Sequence, residues 1–155
     1  PDNELARYWI HGLQLTVSDW VAEIHDIHHP IGPSLYYHQQ EAEARRRAAV
    51  FHQQRLPRFL AYFERVLELN PAGPEYLAGG EHCYADLSLF QVIRGLQYAF
   101  PRTMNTHRAR IPRTLTLVER VAARPGIQAY LQSDRRQPFN ESGIFRHYPE
   151  LDTVA

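Results

Sequence analysis

Apolar residues recur along this chain at intervals of three or four over most of its length, the spacing of helices that bury one face. The first stripe is Leu5, Trp9, Leu13, Val17, Val21 and Ile24. Asp2 and Asn3 precede it as N-cap candidates, because their short side chains can accept from the free amides of a first turn. His28-His29-Pro30 predicts its end, since Pro30 disfavours an α conformation at His29. Ile31 to Leu35, through Gly32 and Pro33, reads as a loop.

A second long helix is predicted from about Gln39 to Leu69, with Ala48, His52, Leu56, Phe59, Leu60, Phe63 and Leu67 on one side. Pro57 falls inside it and should kink it by removing a backbone donor. Asn70-Pro71-Ala72-Gly73-Pro74 is a stop. The third helix, Tyr84 to Phe100, carries Leu87, Leu89, Phe90, Val92, Ile93, Leu96 and Ala99, and a helix apolar on most sides belongs at the centre of a domain. Pro101 ends it. A fourth starts near Ile111-Pro112 with Leu115, Val118, Val121 and Ala122. After Pro125-Gly126, Ile127, Tyr130 and Leu131 mark a short fifth. Residues 134–155, with Pro138, Gly143 and Pro149, read as an extended C-terminal tail of the same domain. No segment alternates as a strand, so the predicted fold is all-α, a helical bundle around one buried central helix.

Composition narrows this little. At 155 residues, 44 % apolar and 22 % charged, the chain has the make-up of one globular domain. Its 17 basic residues balance 17 acidic ones, so no net field marks a nucleic-acid or membrane binder. Every basic residue is Arg, and without Lys this polypeptide has no Schiff-base nucleophile and no P-loop. One Cys excludes an internal disulfide and a Cys-based zinc site. With no signal-peptide pattern and no run of about 18 apolar residues, a reducing cytoplasm is the expected address. The chain opens at Pro1 and its one Met is Met104, so either an initiator Met was removed or the chain is a piece of something longer.

Three constellations could carry chemistry. His25-Asp26-Ile27-His28-His29 places His25 and His29 on one helix face, where they could share a metal, although Asp26 points elsewhere and a third ligand would have to come from His38, His52 or elsewhere. The bland reading is imidazoles at the negative end of a helix dipole. Cys83-Tyr84-Ala85-Asp86 matches a capping box at the start of the central helix, with Cys83 a poor acceptor; the alternative is a thiol activated by the helix N-terminus. Between Asp86 and Glu119 there is no acid, while Arg94, Arg102, Arg108, Arg110 and Arg113 fall there. Few aromatics are interleaved, which favours a solvated or partner-facing surface over a nucleic-acid patch.

The stretch Tyr76-Leu77-Ala78-Gly79-Gly80-Glu81-His82-Cys83-Tyr84-Ala85-Asp86-Leu87-Ser88-Leu89-Phe90 resembles the signature that opens the central helix in the cytosolic glutathione transferases. Leu56-Pro57-Arg58-Phe59-Leu60 through Leu67, and Arg124-Pro125-Gly126-Ile127-Gln128-Ala129-Tyr130-Leu131, are similar to that family in order and spacing. The resemblance covers its helical C-terminal domain and is nearest to the sigma, mu and pi-like group, bacterial type. Cys83 departs from it, standing where the family has a capping Ser or Thr.

The resemblance implies a transferase that conjugates glutathione, as co-substrate, to small electrophiles, with no covalently bound cofactor and no metal. It implies a homodimer, binding neither nucleic acid nor membrane, and a preceding thioredoxin-like domain that holds the catalytic residue; none is expected in this chain. It places the electrophile against the first helix and the tail, with His25, His29, Tyr36, Tyr37 and Tyr148 as candidates and Phe145 as a closing residue. Where some classes offer glutathione a carboxylate, this chain has Gln14-Leu15-Thr16, leaving Gln14 and Thr16 as weaker candidates. The alternative function is a stand-alone helical domain of this type that serves as a non-catalytic protein-assembly module.

Overall fold

A computed structural model describes residues 3–153. Among these there is no strand. Helix α1 spans Glu4–His28, α2 Glu41–Val50, α3 Leu56–Leu69, α4 Tyr84–Ala99, α5 Pro101–His107, α6 Pro112–Ala122 and α7 Pro125–Leu131. Asn3 caps α1, its side-chain oxygen accepting from the Leu5 amide at 2.9 Å. The other cap candidate, Asp2, lies outside the described residues.

The stripe that faces the core from α1 is Ile10, Leu13, Val17, Trp20, Ile24 and Ile27. Leu5 and Trp9, expected in that stripe, are 76 % and 50 % exposed, and Trp9 lines a surface hollow beside the end of α3. Trp20 stacks between Phe59 and Phe63 of α3, with centroids 5.0 and 5.8 Å away. Each such pair adds about 0.5–1.5 kcal/mol beyond the burial of its area.

Pro57 does not break its helix. The chain passes from α2 to α3 through one widened turn, Phe51–Arg55, where the Leu56 amide reaches back five residues to the Phe51 carbonyl. Pro57 then sits in the first turn of α3, where a missing donor costs nothing. Pro101 ends α4 as expected, but it also opens α5, a helix absent from the sequence reading.

Helix α4 lies at the centre, packed against α1, α5 and α6, and buries Leu89, Phe90, Val92, Ile93, Leu96 and Ala99. Gly95 gives it a flat spot against the C-terminal segment. The Phe145 ring lies there, and a Cβ on Gly95 would overlap it. The segment after Asp134 holds no helix except the turn Pro149–Leu151, yet Phe145, Leu151 and Asp152 are buried. It is a docked strap rather than a loose tail.

Two carboxylates hold helix starts from a distance in sequence. Glu64 of α3 accepts from the amides of Arg113 (3.0 Å) and Thr114 (2.9 Å) and from the Thr114 hydroxyl (2.9 Å) at the start of α6. Asp152 does the same for α5, accepting from the Arg102 amide at 2.8 Å, the Thr103 amide at 2.9 Å and the Thr103 hydroxyl at 2.7 Å. Both satisfy otherwise orphaned donors and set a negative charge at the positive end of a helix.

Candidate functional site

The end of α1 carries the histidine cluster. The His25 ring stacks on His29 at 5.5 Å and is half-exposed, while His28 is buried. His28 Nε2–H donates to the Ile144 carbonyl at 2.8 Å. That fixes the proton on Nε2, so His28 Nδ1 is left to accept from His29 Nδ1–H. Burial pushes the His28 pKa down to about 4, helped by Arg146 and the neighbouring imidazoles. His29 is lowered too, by burial and then by Arg146. Among the described residues no three His, Cys, Asp or Glu side chains gather as a metal-holding group.

The loop after α1 is built on Gln40, whose buried amide accepts from the Ile31 amide at 2.9 Å and donates to the Gly32 and Leu35 carbonyls at 3.1 Å. This carries Tyr36 and Tyr37 past the C-terminal strap. Tyr37 lies flat on Tyr148 with centroids 3.9 Å apart, and its hydroxyl donates to Glu150 at 2.7 Å. Burial and that carboxylate push the Tyr37 phenol well above its ordinary pKa. Tyr36 is exposed and stacks on His38. Of the five electrophile-pocket candidates, His25 meets His29 and Tyr37 meets Tyr148, while Tyr36 joins neither pair.

A further cleft lies elsewhere. It has a volume of about 750 Å³ and runs between α1, α4 and the strap. Gln14, Val17 and Val21 line it from α1, Leu87, Ser88 and Gln91 from α4, and Phe139 and Phe145 from the strap. Gln14 and Phe145 were candidates from the sequence; His25, His29, Tyr36, Tyr37 and Tyr148 do not line it. Thr16, two residues along α1 from Gln14, returns its hydroxyl to the Gly12 carbonyl at 3.0 Å. The Gln14 side-chain oxygen is buried without a partner. The α4 residues Ser88 and Gln91 were missed because they sit on a helix that the pattern assigns to the core. Gln91 is in fact exposed on the cleft side.

At the start of α4 the Asp86 carboxylate is fully buried and accepts from the Cys83 amide at 2.7 Å and the Leu77 amide at 2.8 Å. The reciprocal pairing between the Cys83 side chain and the Asp86 amide is also present. Burial, and then the charge of Asp86, push the Cys83 thiol up to about 11. An activated thiolate would need the opposite shift.

The family profile "Glutathione S-transferase, C-terminal domain" matches residues 25–134. The chain belongs to that family. Among relatives, it is 30 % identical over 90 residues to glutathione S-transferase P 1 of Bufo bufo, covering 57 % of this chain and 41 % of that protein. It is 32 % identical over 81 residues to glutathione S-transferase P 1 of Xenopus laevis, covering 52 % and 36 %. The match thus spans about two fifths of the length of these relatives. The all-α bundle around α4 is the fold of this transferase domain, and no helix among the described residues is long and apolar enough to cross a membrane.

Proposed function

We propose that this chain is the helical part of a cytoplasmic glutathione transferase, contributing the wall against which the electrophile binds. One observation carries the reading: the 750 Å³ cleft joins the first helix, through Gln14 and Val17, to Phe139 and Phe145 of the C-terminal segment. These are the two elements that the family resemblance assigns to the electrophile. An apolar cleft with a few fixed amides and hydroxyls suits a small, largely hydrophobic substrate.

In the reaction the glutathione thiolate attacks an electrophilic carbon, and the displaced group leaves with the bonding pair. The thiolate must be formed by lowering the thiol pKa, a task this reading assigns to the thioredoxin-like domain. Tyr37 is committed to Glu150 with its pKa raised, and the Cys83 thiol is raised as well. In this reading a thioredoxin-like domain binds and activates glutathione, with Gln14 and Thr16 reaching the glutathione backbone, while His25, His29, Tyr36, Tyr37 and Tyr148, which do not line the cleft, meet an electrophile only where it extends beyond it.

Dimer contacts belong to the opposite side of α1. Leu5, Tyr8 and Trp9 are exposed there, beside a hollow of about 470 Å³ lined by Trp9, Tyr62, Val66 and Leu69. Exposed apolar surface of this kind favours a two-fold partner.

Titration calorimetry with glutathione tests the division of labour. The 155-residue chain should show no tight binding, and the chain fused behind a thioredoxin-like domain should conjugate glutathione to an activated aryl halide. Tight binding by the chain alone overturns the proposal. A fusion that neither binds nor conjugates glutathione would favour the assembly-module reading.

A further inference from the structure

Helix α5 and the turn Arg108–Arg110 that follows it carry a cationic surface on the far side of α4 from the strap's Phe145. Arg102, Arg108 and Arg110 are exposed there and make no ion pair among the described residues. Arg113, one turn on, is matched by contrast, meeting Glu64 at 3.2 Å and Glu68 at 3.6 Å. The other nearby carboxylate, Asp152, is spent on the amides that open α5. Burial, and then the charge of Arg110, hold the half-buried His107 below its ordinary pKa, the direction a positive field imposes.

Arg108 stands at the rim of a cleft of about 320 Å³ between the end of α4, α5 and the start of α6. Met104, Ile111 and Leu115 give it an apolar floor, Gln97 and Asn105 add two side-chain amides, and no carboxylate lines it. Pro101, Met104, Asn105 and Arg108 recur at three and four residues, so a single side of α5 presents the floor and the cation together.

Unmatched cations on one surface raise its potential and favour an anionic partner. Guanidinium groups fork carboxylates with paired hydrogen bonds, which sets their register as well as their attraction. The apolar floor asks for an aliphatic side chain, and the two amides suit a peptide backbone beside it. Residues 101–116 contain no Phe, Tyr or Trp, which leaves no ring for a nucleic-acid base to stack on.

We propose that this surface docks an acidic peptide segment of a partner protein. One aliphatic side chain of that segment sits on Met104, Ile111 and Leu115, and its flanking carboxylates meet Arg108 and Arg110. Arg102 adds attraction from the other end of α5. The proposal stands on these residues alone and does not rest on the transferase reading.

Fluorescence anisotropy of the 155-residue chain with a labelled peptide of sequence EEDLEDE tests it. At low salt this peptide should bind about tenfold more tightly than its neutral counterpart QQNLQNQ, and the advantage should shrink as ionic strength rises. Replacing its Leu by Ala should weaken binding about fivefold. Arg108→Gln should weaken it about fivefold and Arg110→Gln about threefold. Arg46→Gln, at an exposed Arg of α2, should leave it unchanged. Melting midpoints of the Arg108 and Arg110 variants should match the parent, because these exposed side chains make no ion pair to lose. Equal affinity for the acidic and neutral peptides overturns the proposal, as does acidic-peptide binding that survives both substitutions together. An oligouridylate of equal charge that binds more tightly than the peptide overturns it in favour of nucleic acid. Self-association that both substitutions abolish, with no peptide bound, overturns it in favour of a second copy of this chain.

Discussion

The start of α4 and the C-terminal strap use the same physical device over very different distances along the chain. Asp86 caps α4 with donors three and nine residues away. The strap is held by partners from 48 to 116 residues away: His147 on the Ala99 carbonyl, Asp152 on Thr103, His52 on the Leu151 carbonyl, Tyr37 on Glu150 and His28 on the Ile144 carbonyl. Asp86 and Asp152 are both buried carboxylates that satisfy amides at a helix start. One closes a local turn; the other closes a large loop, and so fixes a segment that has almost no helix of its own. The ordering entropy of that segment has to be offset by such anchors.

The largest effect should follow from Asp152→Ala. It removes the acceptor of three donors, strands two amides of α5 and frees the end of the strap. The expected loss is about 3–4 kcal/mol in urea unfolding, since each buried donor left unpaired costs about 1–3 kcal/mol. Asp86→Ala should cost less, about 2–3 kcal/mol: more than a cap alone, because the Leu77 amide is orphaned along with that of Cys83. A reversed order would show that the local cap, not the remote one, governs stability. Loss of ligand binding in Asp86→Ala at unchanged stability would recast that carboxylate as chemical rather than structural.

Acid separates the two regions more gently. His28 is neutral in the folded protein, with its pKa lowered to about 4, against an ordinary 6.5 when unfolded. As pH falls below about 6.5 the unfolded chain takes up the proton first, so stability declines until about pH 4 and is complete only above the ordinary value. His52, buried on the Leu151 carbonyl and also lowered, adds to the same slope. His28→Gln keeps a donor for the Ile144 carbonyl but cannot titrate. Thermal unfolding between pH 7 and 4 should therefore show a shallower decline for this variant, and an unchanged decline would place the acid sensitivity elsewhere. Hydrogen exchange should show the strap opening before α4 on acidification.

What could be read from the sequence divides along the same line. The central helix was visible because its apolar residues cover most of its faces, and Asp86 because its partner stands at a fixed short offset. Glu64, Asp152 and Gln40 were not visible. A carboxylate or amide whose donors lie tens of residues away leaves no spacing to recognise, and each looks like an ordinary polar residue on a helix or loop. Helix α5 was missed for a local reason: Pro101 was read only as a terminator, when the same fixed φ suits a first turn. The candidate site was half legible. Gln14 and Phe145 line the cleft, but Ser88 and Gln91 gain their meaning only when α4 and the strap are laid side by side.

The smallest effect tests whether the local device is independent of the remote one. Cys83 is a weak acceptor at a position where a hydroxyl is a good one, and its thiol is half-buried and un-ionised, with a pKa of about 11. Cys83→Ser should be neutral or stabilising by up to about 1 kcal/mol, the gain from a stronger cap offset by the lost burial of sulfur. A loss instead would mean that sulfur packing outweighs capping here. Combined with Asp152→Ala, its effect should simply add, because the two caps share no partner. A coupling above about 0.5 kcal/mol would mean that the start of α4 feels the docking of the strap through the length of the helix.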